Sequence, residues 1–187
     1  MTQLIKRRKG LSTVVTTLII LVVAVLLASV VTFYAINVVT TRVQEESLQI
    51  YKQHIWHNGT TFAEAAFIII NTGGRDVVID KVSVRGQECL WNTTYYAKTN
   101  NAISVDLMYV TPNPNGTLLG KSVKLGATTY TFIAASNDLI LKSGWTMIVY
   151  ITNPDSISVN DIGVTVGFTV FTANAQYYKE CHVAASA

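Results

Sequence analysis

Cys89 and Cys181 are the two cysteines of the chain and the residues with the most evident chemistry. Two thiols pair as a disulfide in an oxidising compartment, and two separate buried thiols are the alternative. A bridge between them would close a long loop and stabilise the fold by roughly 4 kcal/mol in the chain-entropy model. If this part of the chain is extracellular, we expect a disulfide that ties the last strand to the body of the domain.

Histidines supply the other metal-ligating side chains. His54 and His57 lie three residues apart, and His182 directly follows Cys181. Imidazole and thiolate are the usual zinc ligands, but nothing in the sequence brings these two pairs together. We therefore predict solvated histidines at a domain junction, with no metal and no cofactor.

The remaining polar residues form no catalytic or nucleic-acid-binding pattern. No Ser-His-Asp arrangement, carboxylate pair or glycine-rich phosphate loop can be recognised, so we do not expect an enzyme. The net charge is only +3, and Lys and Arg are not interleaved with aromatic residues, which argues against a nucleic-acid partner. Half of the residues are hydrophobic. Only 13% are charged, whereas charged residues make up ~25% of typical soluble domains. This composition favours a protein with a membrane segment.

Three Asn-x-Thr sequons begin at Asn58, Asn92 and Asn115. All three fall in predicted turns or at a predicted domain junction, where a bulky glycan is tolerated. We predict that at least one of them is glycosylated. The loop 111–117 around the third sequon contains two prolines and is predicted to be an exposed turn.

The elements that carry these residues begin with a long apolar segment. No charged residue occurs between Gly10 and Thr41, and the run 11–41 exceeds the ~20 residues that cross a bilayer as a helix. Four consecutive basic residues at 6–9 precede it, which by the positive-inside rule leaves the rest of the chain outside. The run is also about twice as long as the apolar core of a cleaved secretory signal peptide.

The helix is predicted to continue beyond the apolar run. No Gly or Pro occurs from Leu11 to Asn58, so the sequence predicts one helix over residues 11–57. Its distal part is amphipathic, and Arg42 is predicted to pair with Glu45 or Glu46 on a solvated face.

After Asn58 the sequence changes to short strand-like runs separated by turn residues. Residues 71–74 predict a tight turn between two strands, and a change of apolar parity predicts a bulge near Asp80 and Lys81. Further strands are predicted over residues 103–110, 130–134, 139–142, 145–152 and 162–171. The last run alternates strictly between apolar and small or polar residues, as in a strand with one buried face. An antiparallel β-sandwich is the natural architecture for such a series.

The residues at the start of the chain resemble a known family. Lys9-Gly10 followed by Leu11-Ser12 and an uninterrupted apolar helix resembles the class III signal of archaeal type IV pilin-like proteins. The resemblance implies that a prepilin peptidase cuts between Gly10 and Leu11, and that an assembly machinery then extracts the helix into a filament of identical subunits. Bacterial type IV pilins have a glutamate where this chain has Val15, so the likeness is to the archaeal branch. The segment 71–86 is similar to a strand pair in the immunoglobulin-like heads of archaeal pilins and archaellins.

Together these predictions describe an α+β protein with a long N-terminal hydrophobic helix and an antiparallel immunoglobulin-like β-sandwich head. Residues 1–10 are the predicted leader, 11–57 the helix and 58–187 the extracellular head. We expect an adhesive surface filament whose subunit associates with itself through the helix after a membrane-bound stage. An archaellin, the subunit of the motility filament, and a signal-anchored extracellular binding module that does not polymerise are the alternatives.

Overall fold

The computed structural model of the chain describes residues 2–43 and 45–186. The chain divides between Val43 and Gln44 into two compact units, an N-terminal helix and a β domain.

The N-terminal unit is one helix, α1 (Thr2–Val43), and it is shorter than predicted. The predicted helix 11–57 is wrong beyond Val43, because residues Leu48–His57 form a strand. The absence of Gly and Pro permitted a helix there but did not require one. Leu48 and Ile50 are both buried and alternate with the exposed Gln49, which is the two-residue period of a strand paired with a neighbour.

The β domain contains twelve strands among the described residues. In chain order they are β1 (Leu48–His57), β2 (Ala63–Asn71), β3 (Val77–Val84), β4 (Gln87–Glu88), β5 (Thr94–Thr99), β6 (Ser122–Leu125), β7 (Thr128–Thr131), β8 (Ile133–Ala134), β9 (Leu139–Leu141), β10 (Thr146–Thr152), β11 (Thr165–Thr172) and β12 (Gln176–Ala185). Single 3-10 turns occur at Trp91–Thr93 and Val159–Asp161.

Ten of these strands form one curled sheet in the order β4-β3-β11-β12-β1-β2-β10-β5-β8, with β9 paired to β3. Strands β6 and β7 form a separate hairpin. Neighbouring strands are antiparallel except β1 and β12, which pair in parallel over residues 55–57 and 183–185. The α+β class predicted from the sequence is therefore confirmed, with a mostly antiparallel, curled sheet.

The curled sheet encloses the main hydrophobic core. Phe67 of β2 and Phe168 of β11 are fully buried, with ring centroids 5.1 Å apart, so the two halves of the sheet face each other here. Strand β11 buries Val166, Phe168 and Val170 and leaves the residues between them partly exposed, which confirms the predicted alternation over this part of the run. Ile162 and Val164, predicted on the same buried face, precede the strand and are exposed. The predicted bulge is also confirmed: Phe171 pairs with Lys81 and Thr172 with Ile79, which leaves Asp80 as the extra residue.

A second core lies on the opposite face of β2 and β10. It is covered by the hairpin β6–β7 and by the irregular segment 100–121, which we call the strap. The cover explains why almost every residue of β2 and β10 is buried, since apolar side chains on both faces of these strands are shielded from water. The predicted strand 103–110 is wrong, because this part of the strap pairs with side chains of the sheet instead of with a strand.

Candidate functional site

The apolar helix is the most distinctive surface of the molecule. The most apolar 18-residue window within Ser12–Thr41 has a mean hydropathy of 3.1, and every residue of this span is exposed in the unit. The apolar side chains surround the helix on all sides and do not form the single stripe of a helix that packs on a soluble core. A surface of this kind is stable only in lipid or against other apolar surfaces.

Hydroxyl groups within the helix do not interrupt its apolar character. Six of them donate to a carbonyl three or four residues earlier in the same helix, at 2.8 to 2.9 Å. The residues are Thr16, Thr17, Ser29, Thr32, Thr40 and Thr41. Because their donors are satisfied internally, these side chains can enter an apolar environment with no outside partner.

The backbone of α1 is helical through the predicted cleavage point at Gly10 and Leu11. A peptidase needs its substrate backbone extended, so a cut here requires the helix to open locally. Glycine is the residue that opens a helix most readily apart from proline, by about 1 kcal/mol relative to alanine. The position of Gly10 is thus suited to cleavage.

Two of the three predicted glycosylation sites lie in exposed, ordered turns. The Oδ1 atom of Asn58 accepts hydrogen bonds from the backbone N–H groups of residues 60–62 and from the hydroxyl of Thr60, at 2.9 to 3.0 Å. In the same way, Asn115 Oδ1 accepts from the hydroxyl of Thr117 at 2.8 Å. Both asparagines are exposed, and their described contacts involve the oxygen and not the amide nitrogen that would carry a glycan.

The third sequon is arranged differently. Asn92 is exposed within the 3-10 turn, but Thr94 is fully buried at the start of β5. The Thr94 hydroxyl donates to the carbonyl of Leu90 at 3.0 Å, so it is unavailable to an enzyme acting on the folded domain.

The predicted disulfide is not present: Cys89 and Cys181 are both free thiols. The Cys89 backbone N–H donates to the carbonyl of Val82 on β3, so Cys89 lies one strand spacing to one side of β3. Cys181 lies on β12, two strand spacings to the other side, which makes three spacings in total. Three steps of about 4.8 Å between strands already exceed the 4.4 to 6.8 Å Cα separation of a disulfide. Burial raises the pKa of each thiol to about 12, so neither is reactive at neutral pH.

The histidines are placed in three separate environments. His54 Nε2 lies 2.9 Å from Asp106 Oδ1, and the His54 ring stacks on Trp56 at 5.1 Å. His57 is buried, and its Nδ1 accepts a hydrogen bond from the backbone of Gly59. His182 is hydrogen-bonded to Thr165. Over residues 12–41 and 45–186, no three His, Cys, Asp or Glu side chains are grouped so as to hold a metal ion.

The sequence analysis missed a polar cluster around Glu46. This residue was predicted to lie on a solvated helix face with Arg42 as a partner, but its side chain is only 7% exposed and its ion pair is with Arg75, at 3.4 Å. The Glu46 carboxylate also accepts hydrogen bonds from the hydroxyl of Thr172 and from the amide of Asn174. Burial alone would raise the pKa of Glu46, but these hydrogen bonds and the Arg75 charge lower it overall.

The cluster fastens the connecting segment 45–47 to the β domain. The Ser47 carbonyl accepts hydrogen bonds from the backbone N–H groups of Thr72 and Gly73, at 2.9 and 3.1 Å. A Cβ atom on Gly73 would lie 2.7 Å from the backbone of both Glu45 and Ser47, so only glycine allows this approach. The segment is therefore an integral part of the domain and not a flexible linker.

Comparisons with known proteins leave the family of this chain open. No family model and no curated protein match it. Among solved structures, it is similar to a family 123 glycoside hydrolase from Clostridium perfringens that was studied for glycolipid glycan hydrolysis, at 8% sequence identity and a TM-score of 0.31. The match covers 74% of this chain and spans 27% of the length of the hydrolase. A TM-score this low establishes neither a common fold nor a common activity.

Proposed function

We propose that this chain is the precursor of a filament subunit resembling archaeal type IV pilins. In this proposal a membrane peptidase cuts between Gly10 and Leu11, and the helix that begins at Leu11 then packs among its copies in the core of an adhesive filament. The β domain, which we take as an immunoglobulin-like head, lies at the filament surface outside the cell. The contact between Phe67 and Phe168, which come from opposite halves of the curled sheet, supports the sandwich arrangement of this head.

One observation carries the proposal: within α1, a stub of four basic residues at 6–9 and then Gly10 directly precedes a helical segment that is apolar on all sides. While the stub is attached, its charges oppose withdrawal of the helix from the bilayer, since a charged side chain in the apolar region costs at least ~2.5 kcal/mol. Removing the stub leaves a helix that exchanges lipid for neighbouring helices at little cost in hydrophobic free energy. Small residues such as Ala24, Ala28 and Ala35 permit the close helix packing that must then supply the preference.

The signal-anchored module is the second candidate, and the end of the helix at Val43 favours it. From Ser12 to Thr41 the helix has 30 residues, or about 45 Å, which matches a bilayer including its headgroup layers. Such a helix can span a membrane permanently without entering a filament. The archaellin alternative shares all of these features with the adhesive pilin and differs in the behaviour of the assembled filament.

Mass spectrometry of the mature N-terminus tests the proposal. The full chain is expressed in membranes with and without an archaeal prepilin peptidase, together with a Gly10→Val variant and a Ser12→Ala control. We expect a mature N-terminus at Leu11 for the native chain and for the control, only when the peptidase is present, and an uncut Gly10→Val variant. An intact N-terminus in every case would support the signal anchor and contradict the filament subunit.

Electron microscopy of material sheared from cells that contain the whole assembly system then tests polymerisation. Filaments containing this chain are expected, and their loss in the Gly10→Val cells would link cleavage to assembly. Filaments that support attachment without swimming indicate a pilus, and filaments required for swimming indicate an archaellum. We also propose glycans on Asn58 and Asn115 before Asn92, which glycopeptide mass spectrometry of the same filaments tests.

A further inference from the structure

The strap 100–121 is a long irregular segment that lies across the sheet without pairing to a strand. Loops longer than ~12–15 residues without secondary structure are uncommon and frequently functional. The strap buries Ile103, Leu107, Val110 and Leu118 against the second core. Its backbone, however, has few backbone partners and depends on side chains of the sheet.

Side chains from β1 and β10 hold the first half of the strap. Lys52 has a left-handed backbone (φ 53°) at the irregularity in β1, and its Nζ donates to the carbonyls of Ile103 and Val105, at 3.1 and 2.7 Å. The Tyr150 hydroxyl donates to the carbonyl of Met108 at 2.9 Å. These contacts hold strap carbonyls to the sheet through side chains and not through a neighbouring strand.

Glu64 of β2 provides the contact that depends on protonation. It is fully buried, and its Oε1 accepts a hydrogen bond from the backbone N–H of Val110 at 2.9 Å. The other carboxyl oxygen, Oε2, is buried without a hydrogen-bond partner. Among the side chains that the structure describes, those of residues 12–41 and 45–186, no Lys, Arg or His nitrogen lies within ion-pairing distance of this carboxyl group. A buried carboxylate without a cation is strongly disfavoured relative to the neutral acid.

The titratable groups facing Glu64 add no compensating positive charge. Tyr109 of the strap and Tyr150 of β10 both interact electrostatically with Glu64, and their own pKa values are raised, first by burial and then by Glu64. Asp106 precedes Val110 in the strap by four residues, and its hydrogen bond with His54 lowers the pKa of its carboxyl group. On β1, Trp56 is the residue opposite Glu64. The surroundings of Glu64 are thus aromatic, hydroxylic or acidic.

We propose that Glu64 makes the strap a pH-sensitive cover, which is closed over the sheet in acid and opens progressively as the pH rises toward 8. Opening admits water to the carboxylate and uncovers the apolar outer face of β2 and β10, including Ile68 and Ile148. This inference is independent of whether the chain assembles into a filament.

The direction and range follow from linkage. Burial raises the pKa of Glu64 from 4.5 to about 8 in the closed state, while the hydrogen bond from Val110 acts in the opposite direction. A raised pKa in the closed state means that the closed state binds more protons, so its stability is complete below pH 4.5 and is lost as the pH rises through 8. The opening equilibrium therefore increases by up to about tenfold per pH unit within this window and becomes flat above it. Asp106 acts oppositely and only in acid, below its ordinary pKa of 3.8.

Hydrogen exchange followed by mass spectrometry tests the inference on the full chain in detergent micelles between pH 5 and 9, with rates corrected for intrinsic exchange. We expect the protection of strap amides to fall at least tenfold between pH 5 and 8, while peptides from β2 and β10 keep their protection. Glu64→Gln is expected to give pH-independent strap protection, and Glu88→Gln, an exposed glutamate on β4, is expected to behave like the native chain.

The inference is overturned if strap protection in the native chain does not change between pH 5 and 8, or if Glu64→Gln shows the same change as the native chain. If Glu64→Gln does not fold, the native profile decides alone, because simultaneous loss of protection in β2 and β10 would mean global unfolding and not strap opening. Tyr150→Phe provides a further arm. It should lower strap protection at every pH without changing the pH dependence, and a changed dependence would assign the response to Tyr150 and refute the role of Glu64.

Discussion

Replacement of Glu46 by alanine should destabilise the β domain. The sequence alone does not suggest this, because Glu46 follows Glu45 in a segment with the pattern of a solvated helix face. The substitution removes the acceptor for Thr172 and Asn174, and charge-assisted hydrogen bonds contribute about 1.5 to 3 kcal/mol each. The Arg75 pair adds little, because Arg75 is 43% exposed and solvated. Part of the loss is recovered, since the variant no longer buries a charge and Thr172 also donates to the carbonyl of Ala175. We expect a net decrease in the free energy of unfolding of about 2 to 4 kcal/mol.

The assay is denaturant unfolding of the full chain in detergent micelles, followed by tryptophan fluorescence. All three tryptophans, Trp56, Trp91 and Trp145, belong to the β domain, so the signal reports this domain and not the helix. Glu45→Ala is the matched control, because Glu45 is the adjacent residue, is exposed and has the same charge.

The pH dependence provides an independent check. A carboxyl group whose pKa is lowered on folding stabilises the fold above its ordinary pKa of 4.5, and this stabilisation is lost as the pH falls further. The difference between the native chain and Glu46→Ala should therefore be largest near pH 7 and should decrease below pH 4.5. If Glu46→Ala unfolds within about 0.5 kcal/mol of Glu45→Ala at pH 7, the cluster does not have the role assigned to it.

Two further substitutions and one labelling experiment have predicted outcomes. Gly73→Ala should lower the free energy of unfolding by more than about 2 kcal/mol, because the added Cβ meets backbone atoms that cannot move aside. A loss below about 1 kcal/mol in the same unfolding assay would contradict this prediction. Gly167→Ala should lower the free energy of unfolding by only about 0.5 to 1 kcal/mol, because the added Cβ overlaps the ring of the exposed Tyr178, which can rotate away. In a double-mutant cycle, Tyr178→Ala should cancel most of this loss. Denatured but unreduced protein should take up two iodoacetamide groups by intact mass, one each at Cys89 and Cys181, whereas no uptake would demonstrate a disulfide.

The parts of the fold that could be predicted are those with a local signal. The apolar helix follows from its composition, and the alternation of Val166, Phe168 and Val170 identifies β11 with its buried face. The bulge at Asp80 follows from a change of parity within a single strand. Each of these features depends on residues close together in the sequence, so a single chain is enough to find it.

The features that were missed depend on partners distant in the sequence. Segment 48–57 lacks helix breakers, and its pairing with β2 and β12 makes it a strand. Glu46 looks like its neighbour Glu45, and its burial arises from Thr172 and Asn174, more than a hundred residues away. The strap has strand-like residues over 103–110, but Lys52, Glu64 and Tyr150 take the hydrogen bonds that a neighbouring strand would have taken.

The parallel pairing of β1 and β12 has a mechanical consequence. Because the first and last strands run side by side in the same direction, β1 begins at one end of the domain and β12 finishes at the other, about 33 Å apart for a ten-residue strand. Tension applied between these two ends would pull the strands past each other in shear, so that the paired residues 55–57 and 183–185 resist together. The Gln53 amide, which donates to the carbonyl of Glu180, would resist the same force. If the two strands were instead pulled apart from the same end, their hydrogen bonds would break one at a time.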